Sequence, residues 1–209
     1  MKLPRDVRGV AFGTRKDGDG RADRDLRVAI SREVGIQPQW ATLTQVHGAR
    51  AVFVTEPGHH GEADALVSDV PGLPMVIATA DCVPVVLLGQ RTRAVIHAGW
   101  RGVGSGVVAA AISMMVRSGD EIERAIVGPH IGPCCYEVGV DVVEAIGGHV
   151  RTTRTGAMSV DLQAAVAHQL GDVPLTGSST CTYDNDDLAS YREDGTSDRQ
   201  MTIVWVPKN

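Results

Sequence analysis

Between positions 40 and 98 the chain strings together six short runs rich in Val, Ile, Leu, Ala and Thr, and this constrains the fold more than any other feature. The runs cover residues 40–47, 51–55, 65–68, 75–80, 83–88 and 93–98. Turn signals separate them: His47-Gly48, Glu56-Pro57-Gly58, Pro71-Gly72-Leu73-Pro74 and Gly89-Gln90. Runs of four to eight residues bounded by Gly and Pro read as strands. Helical signals lie mostly outside this block. Leu26, Ile30 and Val34 recur every four residues and mark a helix that stops at Gly35. A glycine-rich turn over 99–106 leads into an apolar helix over 107–117. A strand at 125–127, helices near 138–146 and 161–170, and a last strand at 201–206 follow. Strands joined by short turns, with helices segregated later, predict an α+β fold with mixed sheets. A doubly wound parallel sheet would alternate strand and helix throughout.

No repeat, low-complexity tract or linker divides the chain, so residues 1–209 are expected to form one domain. With only eight aromatic residues, the core must be built from Val, Ala, Ile and Leu. The polar, glycine-rich stretch 15–24 reads as a mobile loop. The formal charge is −5 and no Lys/Arg block stands out, which argues against a nucleic-acid backbone as partner. No window of about 18 apolar residues could cross a bilayer. Residues 1–6 lack the apolar segment of a secretion signal, and the adjacent pair Cys134-Cys135 is no secreted disulfide framework. These features predict a cytoplasmic location.

Three strand-end segments carry a residue able to bind a metal. They are Thr44-Gln45-Val46-His47-Gly48, Ala78-Thr79-Ala80-Asp81-Cys82-Val83-Pro84, and Ala94-Val95-Ile96-His97-Ala98-Gly99-Trp100-Arg101-Gly102. Strand ends are rigid and open to a cleft, which suits a pre-positioned ligand set. Two imidazoles and one thiolate are three protein ligands for zinc, leaving the fourth position free as catalytic sites require. None of the three is close to another in sequence. Composition and spacing alone therefore favour the plainer alternative, a buried Cys82 and two hydrogen-bonded histidines.

The same segments closely resemble the YfiH-like family, also called the polyphenol-oxidase-type laccase domain or peptidoglycan-editing factor. So do Gly128-Pro129-His130-Ile131-Gly132-Pro133, Tyr136-Glu137-Val138-Gly139 and Cys181-Thr182-Tyr183, with the match running from about Arg8 to Trp205. His97-Ala98-Gly99-Trp100-Arg101-Gly102 is its most specific piece. The resemblance implies a four-layer α/β/β/α arrangement with mixed sheets. It also implies zinc at His47, Cys82 and His97, with phosphorolysis of adenosine, inosine and methylthioadenosine and deamination of adenosine.

Phosphorolysis needs an anion site, and Arg101 in the turn before a helix start offers a bidentate donor for phosphate. Glycines for a tight turn, with Arg101 on a surface carboxylate, are the plainer alternative. Deamination would draw on zinc-activated water and a carboxylate that moves the proton. Asp81 is adjacent to a ligand and Asp64 is a further candidate; either also suits orientation of His47 or His97. Gln45 shares a strand face with His47, and hydrogen-bonds a base or ribose or else a neighbouring strand. Gln45, Asp64 and Arg192 are the candidate substrate-binding residues, and Asp81 and Arg101 the candidate catalytic ones. The region around Arg192 departs from the family pattern: Glu193 replaces a usual arginine and Asp198 a usual glycine, which moves local charge negative.

Cys134-Cys135 is expected to be structural, because a loop beside Gly-Pro offers no separate ligand set. His59-His60 reads as a solvated polar turn, and His149 and His168 as unpartnered helical residues. Two competing functions remain open. One is a metal-free cysteine hydrolase or deamidase with Cys82 as nucleophile and His97 as base. The other is a non-catalytic binding factor for cell-wall precursor synthesis. Two His and one Cys are also the blue-copper set, but seven histidines without a His-x-His pair are too few for a multicopper oxidase, so zinc is preferred over copper.

Overall fold

The computed structural model describes residues 1, 2, 4 and 7–208. Leu3, Arg5, Asp6 and Asn209 lie outside the described residues, and with them part of the N-terminal segment read above. Along the chain come β1 (Val10–Phe12), a 3-10 turn (Arg15–Asp17), α1 (Arg24–Val34), β2 (Ala41–Thr44), β3 (Ala51–Phe53), β4 (Gly58–Glu62) and β5 (Ala65–Ser68). The middle holds β6 (Met75–Thr79), β7 (Val83–Gly89), β8 (Arg93–Ala98), α2 (Trp100–Gly104), α3 (Val107–Arg117) and β9 (Ile122–Val127). The last part holds α4 (Val140–Ala145), β10 (Val150–Thr152), β11 (Met158–Val160), α5 (Leu162–Leu170), β12 (Leu175–Gly177), α6 (Tyr191–Asp194) and β13 (Gln200–Val204).

Two mixed sheets take in all of these strands except β10 and β11, which pair with each other. One has the order β1-β13-β6-β2-β4, with β13 antiparallel to both neighbours and β2 parallel to both of its own. The other has the order β12-β9-β7-β8-β5-β3, antiparallel at its centre and parallel at each edge. The mixed sheets follow from the strand-rich block as the sequence predicts.

Side-chain alternation divides the core into three clusters. Val83, Val85 and Leu87 of β7 join Ala94 and Ile96 of β8 against Val107, Val108, Ala111 and Met115 of α3 and Ala165 and Val166 of α5. Val86, Leu88 and Val95, one residue out of phase, meet Leu43, Met75, Ile77 and Val204 of the other sheet. Val76, Ala78, Met201 and Ile203 then face Ile30 of α1 and Trp40. Both faces of β7 are covered, so all seven of its residues are buried. Helix α1 starts where Asp23 accepts from the amides of Asp25 and Leu26, and it ends at Gly35 in the left-handed region.

Several elements lack a sequence signal. β4 (Gly-His-His-Gly-Glu) has no apolar alternation; it is an edge strand held by backbone pairing to β2. The hairpin β10–β11, exposed along β10 but buried at Ser159 and Val160, and the three-residue strands β1 and β12 are too short for a period to register. The helix expected from 138 begins only at Val140, behind Gly139.

Candidate functional site

The β7–β8 register pairs Val83 with Ala98 and Pro84 with His97, so Cys82 emerges beside the end of β8. His47 follows β2 in a left-handed conformation, φ 59°. The fold thereby unites three residues that sequence spacing left apart. The ligand atoms of His47, Cys82 and His97 lie within 4.8 Å of one another. The two imidazole rings meet edge to face with centroids 4.7 Å apart.

Asp64 holds this arrangement in place. Its Oδ1 lies 2.8 Å from Nδ1 of His97 and accepts from the backbone N–H of His47 at 2.9 Å. Its Oδ2 accepts from the backbone N–H groups of Gly48 (2.7 Å) and Val46 (3.3 Å). One carboxylate thus orients one histidine through its ring and the other through its backbone. Burial pushes the Asp64 carboxyl up, but the bonds from His97, Gly48 and His47 outweigh it and hold the group below the ordinary carboxylate value. Asp64 is wholly buried. Asp64 does not line the cleft and its oxygens are engaged by the ligand segments, which favours the orienting role over the substrate-binding one.

Burial would likewise push the Cys82 thiol up; hydrogen bonds to His47 and His97 and the charge of His97 bring it down to about 6. For His97, burial lowers the value, yet Asp64 and Cys82 raise it to about 9. Without a metal, the contacts between Cys82 and His97 favour a thiolate beside an imidazolium. A metal fits it well: a soft sulfur and two imidazoles converge with an orienting carboxylate behind them, a donor set typical of catalytic zinc. Room is kept by glycine, since a Cβ at Gly99 would stand 2.9 Å from Cδ2 of His47 and 3.0 Å from Sγ of Cys82.

The three residues line a cleft of roughly 780 Å³. Gln45, Asp81, Arg101 and Arg192 line it too. Gln45 is largely committed to structure: its amide bonds both the N–H and the C=O of Ala78, at 2.9 and 2.7 Å, and accepts from Arg21 at 2.6 Å. Asp81, at φ 80°, accepts from the Thr182 hydroxyl at 2.7 Å and from the Arg192 amide at 2.8 Å. It contacts neither histidine of the triad through a hydrogen bond, so orientation falls to Asp64. Arg101 stacks on Trp100 at 4.2 Å and Arg192 on Tyr136 at 5.0 Å. Burial, reinforced by Cys82, pushes the Tyr136 phenol up to about 12, which keeps it neutral.

Two cleft arginines carried no sequence signal. Arg21 sits in the stretch expected to be a mobile loop, yet it is anchored to Asp19 at 2.7 Å and to Gln45. Arg199 is held by the carbonyls of Thr196 and Asp198. The departures from the family pattern prove peripheral to the cleft: Asp198 pairs with Arg15 at 2.9 Å, and Glu193 donates its amide to the Ser190 cap. His59 is exposed on β4 at the cleft rim, 3.1 Å from Thr44 Oγ1. Cys134 and Cys135, expected to lack a ligand set, instead meet Cys181 and Asp184, all ligand atoms within 4.8 Å.

Residues 9–207 match the family model described as multi-copper polyphenol oxidoreductase laccase. The chain belongs to this family, that of the YfiH-like proteins. A purine nucleoside phosphorylase of Pseudomonas aeruginosa is 33% identical over 93% of this chain and 85% of its own length. One of Mycobacterium tuberculosis is 34% identical over 96% of this chain and 88% of its own. Among solved structures, the YfiH protein of Bacillus licheniformis superposes with a TM-score of 0.85 at 24% identity, covering 94% of this chain and 92% of that one. Despite the laccase label of this YfiH-like family, the two clusters of metal-type ligands among the described residues contain only two imidazoles between them. A trinuclear copper centre needs many more. Among the described residues, no helix is long and apolar enough to cross a membrane.

Proposed function

We propose that this YfiH-like protein is a zinc-dependent purine nucleoside phosphorylase acting on adenosine, inosine and methylthioadenosine, with adenosine deamination as a second activity. One observation carries the reading: the His47, Cys82 and His97 donor set opens onto a cleft edged by Arg21, Arg101, Arg192 and Arg199 and by the rings of Trp100, Tyr136 and Tyr191. Guanidinium forks suit a phosphate dianion, and aromatic faces suit a purine. The names of the relatives in Pseudomonas aeruginosa and Mycobacterium tuberculosis support the same substrate class.

His47, Cys82 and His97 would hold the zinc, which when bound supplies Lewis acidity at the cleft floor. Arg101 and Arg192 bind and orient phosphate so that one oxygen faces C1′ of the ribose. The new C–O bond forms as the glycosidic C1′–N9 bond breaks, and its electron pair leaves with the purine. Tyr136, kept neutral by burial, offers a hydroxyl toward the base or sugar. Asp81 holds Arg192 in place through its backbone and retains lone pairs for a proton in the deamination branch.

The thiolate–imidazolium pair favours one second reading, a cysteine hydrolase with Cys82 as nucleophile and no metal. Metal analysis with activity assays separates the two. The zinc reading expects stoichiometric zinc at this centre, lost together with activity in His47→Ala. Activity retained in a metal-free His47→Ala protein, with Cys82 alkylation abolishing it, supports the hydrolase.

A further inference from the structure

We infer that Cys134, Cys135, Cys181 and Asp184 form a second metal site, a closed zinc site that ties two loops together behind the cleft. The site is separate from the His47 centre and shares no residue with it. Its ligands come from two stretches of chain: the loop after β9 carries Cys134 and Cys135, and the loop after β12 carries Cys181 and Asp184.

The distances suit zinc. Bonds of about 2.3 Å to sulfur and about 2.1 Å to oxygen place tetrahedral ligands roughly 3.8 Å apart for S···S and about 3.6 Å for S···O. Asp184 Oδ2 lies 3.8 Å from Cys134 Sγ and 3.6 Å from Cys135 Sγ, already at tetrahedral spacing. The Cys134–Cys135 pair stands at 2.9 Å and has to open by somewhat less than ~1 Å to reach that spacing. Among the described residues all four cysteines are free thiols. Three thiolates select a soft or borderline cation over magnesium or calcium, and four protein ligands make a structural rather than a catalytic zinc site.

The surroundings resemble a supported metal site. The Gly132 amide donates to Cys181 Sγ at 3.2 Å. Arg154 grips both oxygens of Asp184, and its own backbone amide donates to the Cys134 carbonyl at 3.0 Å. Its guanidinium offsets part of the negative charge that three thiolates and a carboxylate leave around a dication. Zinc binding releases the thiol protons to solvent, with no change of oxidation state.

The tie has a consequence for the cleft. Tyr136, next to Cys135, lines it, and Thr182, next to Cys181, gives its hydroxyl to Asp81. A metal joining the two loops fixes Tyr136 in the wall and, through Thr182, the lining carboxylate of Asp81.

The test is zinc per chain, measured on the full-length protein expressed with zinc and purified without chelator. Wild type is expected to carry two equivalents, His47→Ala and Cys181→Ser one each, and the double variant none. Since Cys181→Ser can fail to fold, wild type exchanged into cadmium supplies a readout without substitution. Cadmium NMR then shows two resonances, one at the shift of a three-sulfur site and one at that of a single-sulfur site. A single zinc equivalent with one single-sulfur resonance overturns the proposal, whether Cys134 and Cys135 are then found reduced or joined as a disulfide. Loss of zinc in Cys181→Ser with none removed by His47→Ala sustains it while refuting zinc at the cleft.

Discussion

Asp64 is the residue on which the site geometry rests, because its two oxygens serve one ligand's ring and the other's backbone. Asp64→Asn weakens that grip, and zinc affinity is expected to fall by about ten- to a hundredfold, measured by competition with a chelator. Its folded-state value is depressed, so its contribution to stability is present above the ordinary carboxylate range. That contribution is lost as pH falls through the lowered folded value. The urea midpoint of metal-free wild type should therefore fall in acid more steeply than that of Asp64→Asn. Cys82 makes a second prediction at this scale. In metal-free protein its alkylation rate should rise with pH through about 6, since the thiolate is the reacting form, and zinc should protect it. An inflection in the ordinary thiol range, about 8.5, would contradict the description of the pair.

At the scale of elements, the site is a meeting of strand ends. β8 delivers His97, the turn before β7 delivers Cys82, and the segment after β2 delivers His47. Gly99 closes β8 where any side chain would press on two ligands. Gly99→Ala should fold with unchanged far-ultraviolet circular dichroism, at a cost of about 1–3 kcal/mol for the added bulk. Zinc content should drop far more than stability; retained zinc with full activity would show that the ligands have slack. Strands buried on both faces, such as β6 and β7, were legible because their apolar runs are continuous. β4 was not, because backbone pairing rather than side-chain burial holds an edge strand. Arg21 escaped for a related reason: its segment has no period, and its anchor Gln45 becomes a neighbour only on folding. The neighbours of Cys134 and Cys135 were not legible because Cys181 and Asp184 lie 46 or more residues away in sequence.

The whole molecule carries a formal charge of −5, yet Arg21, Arg101, Arg192 and Arg199 converge on one cleft. Four guanidinium groups against the two lining carboxylates of Asp19 and Asp81 leave a positive excess, which raises anion capture against the overall field and is screened by salt. The KM for phosphate should therefore rise with ionic strength, and Arg101→Gln should raise it further, by roughly tenfold or more for a lost charge-assisted bond of about 1.5–3 kcal/mol. A salt-independent KM would remove the cleft arginines from the phosphate site. The measurement that bears most directly on the proposed function is incubation of the zinc-loaded protein with adenosine, inosine or methylthioadenosine, with and without inorganic phosphate. Free purine base and ribose 1-phosphate, or its methylthio analogue, are expected only when phosphate is present. Absence of any free base from a zinc-loaded sample supplied with phosphate would contradict the proposed function.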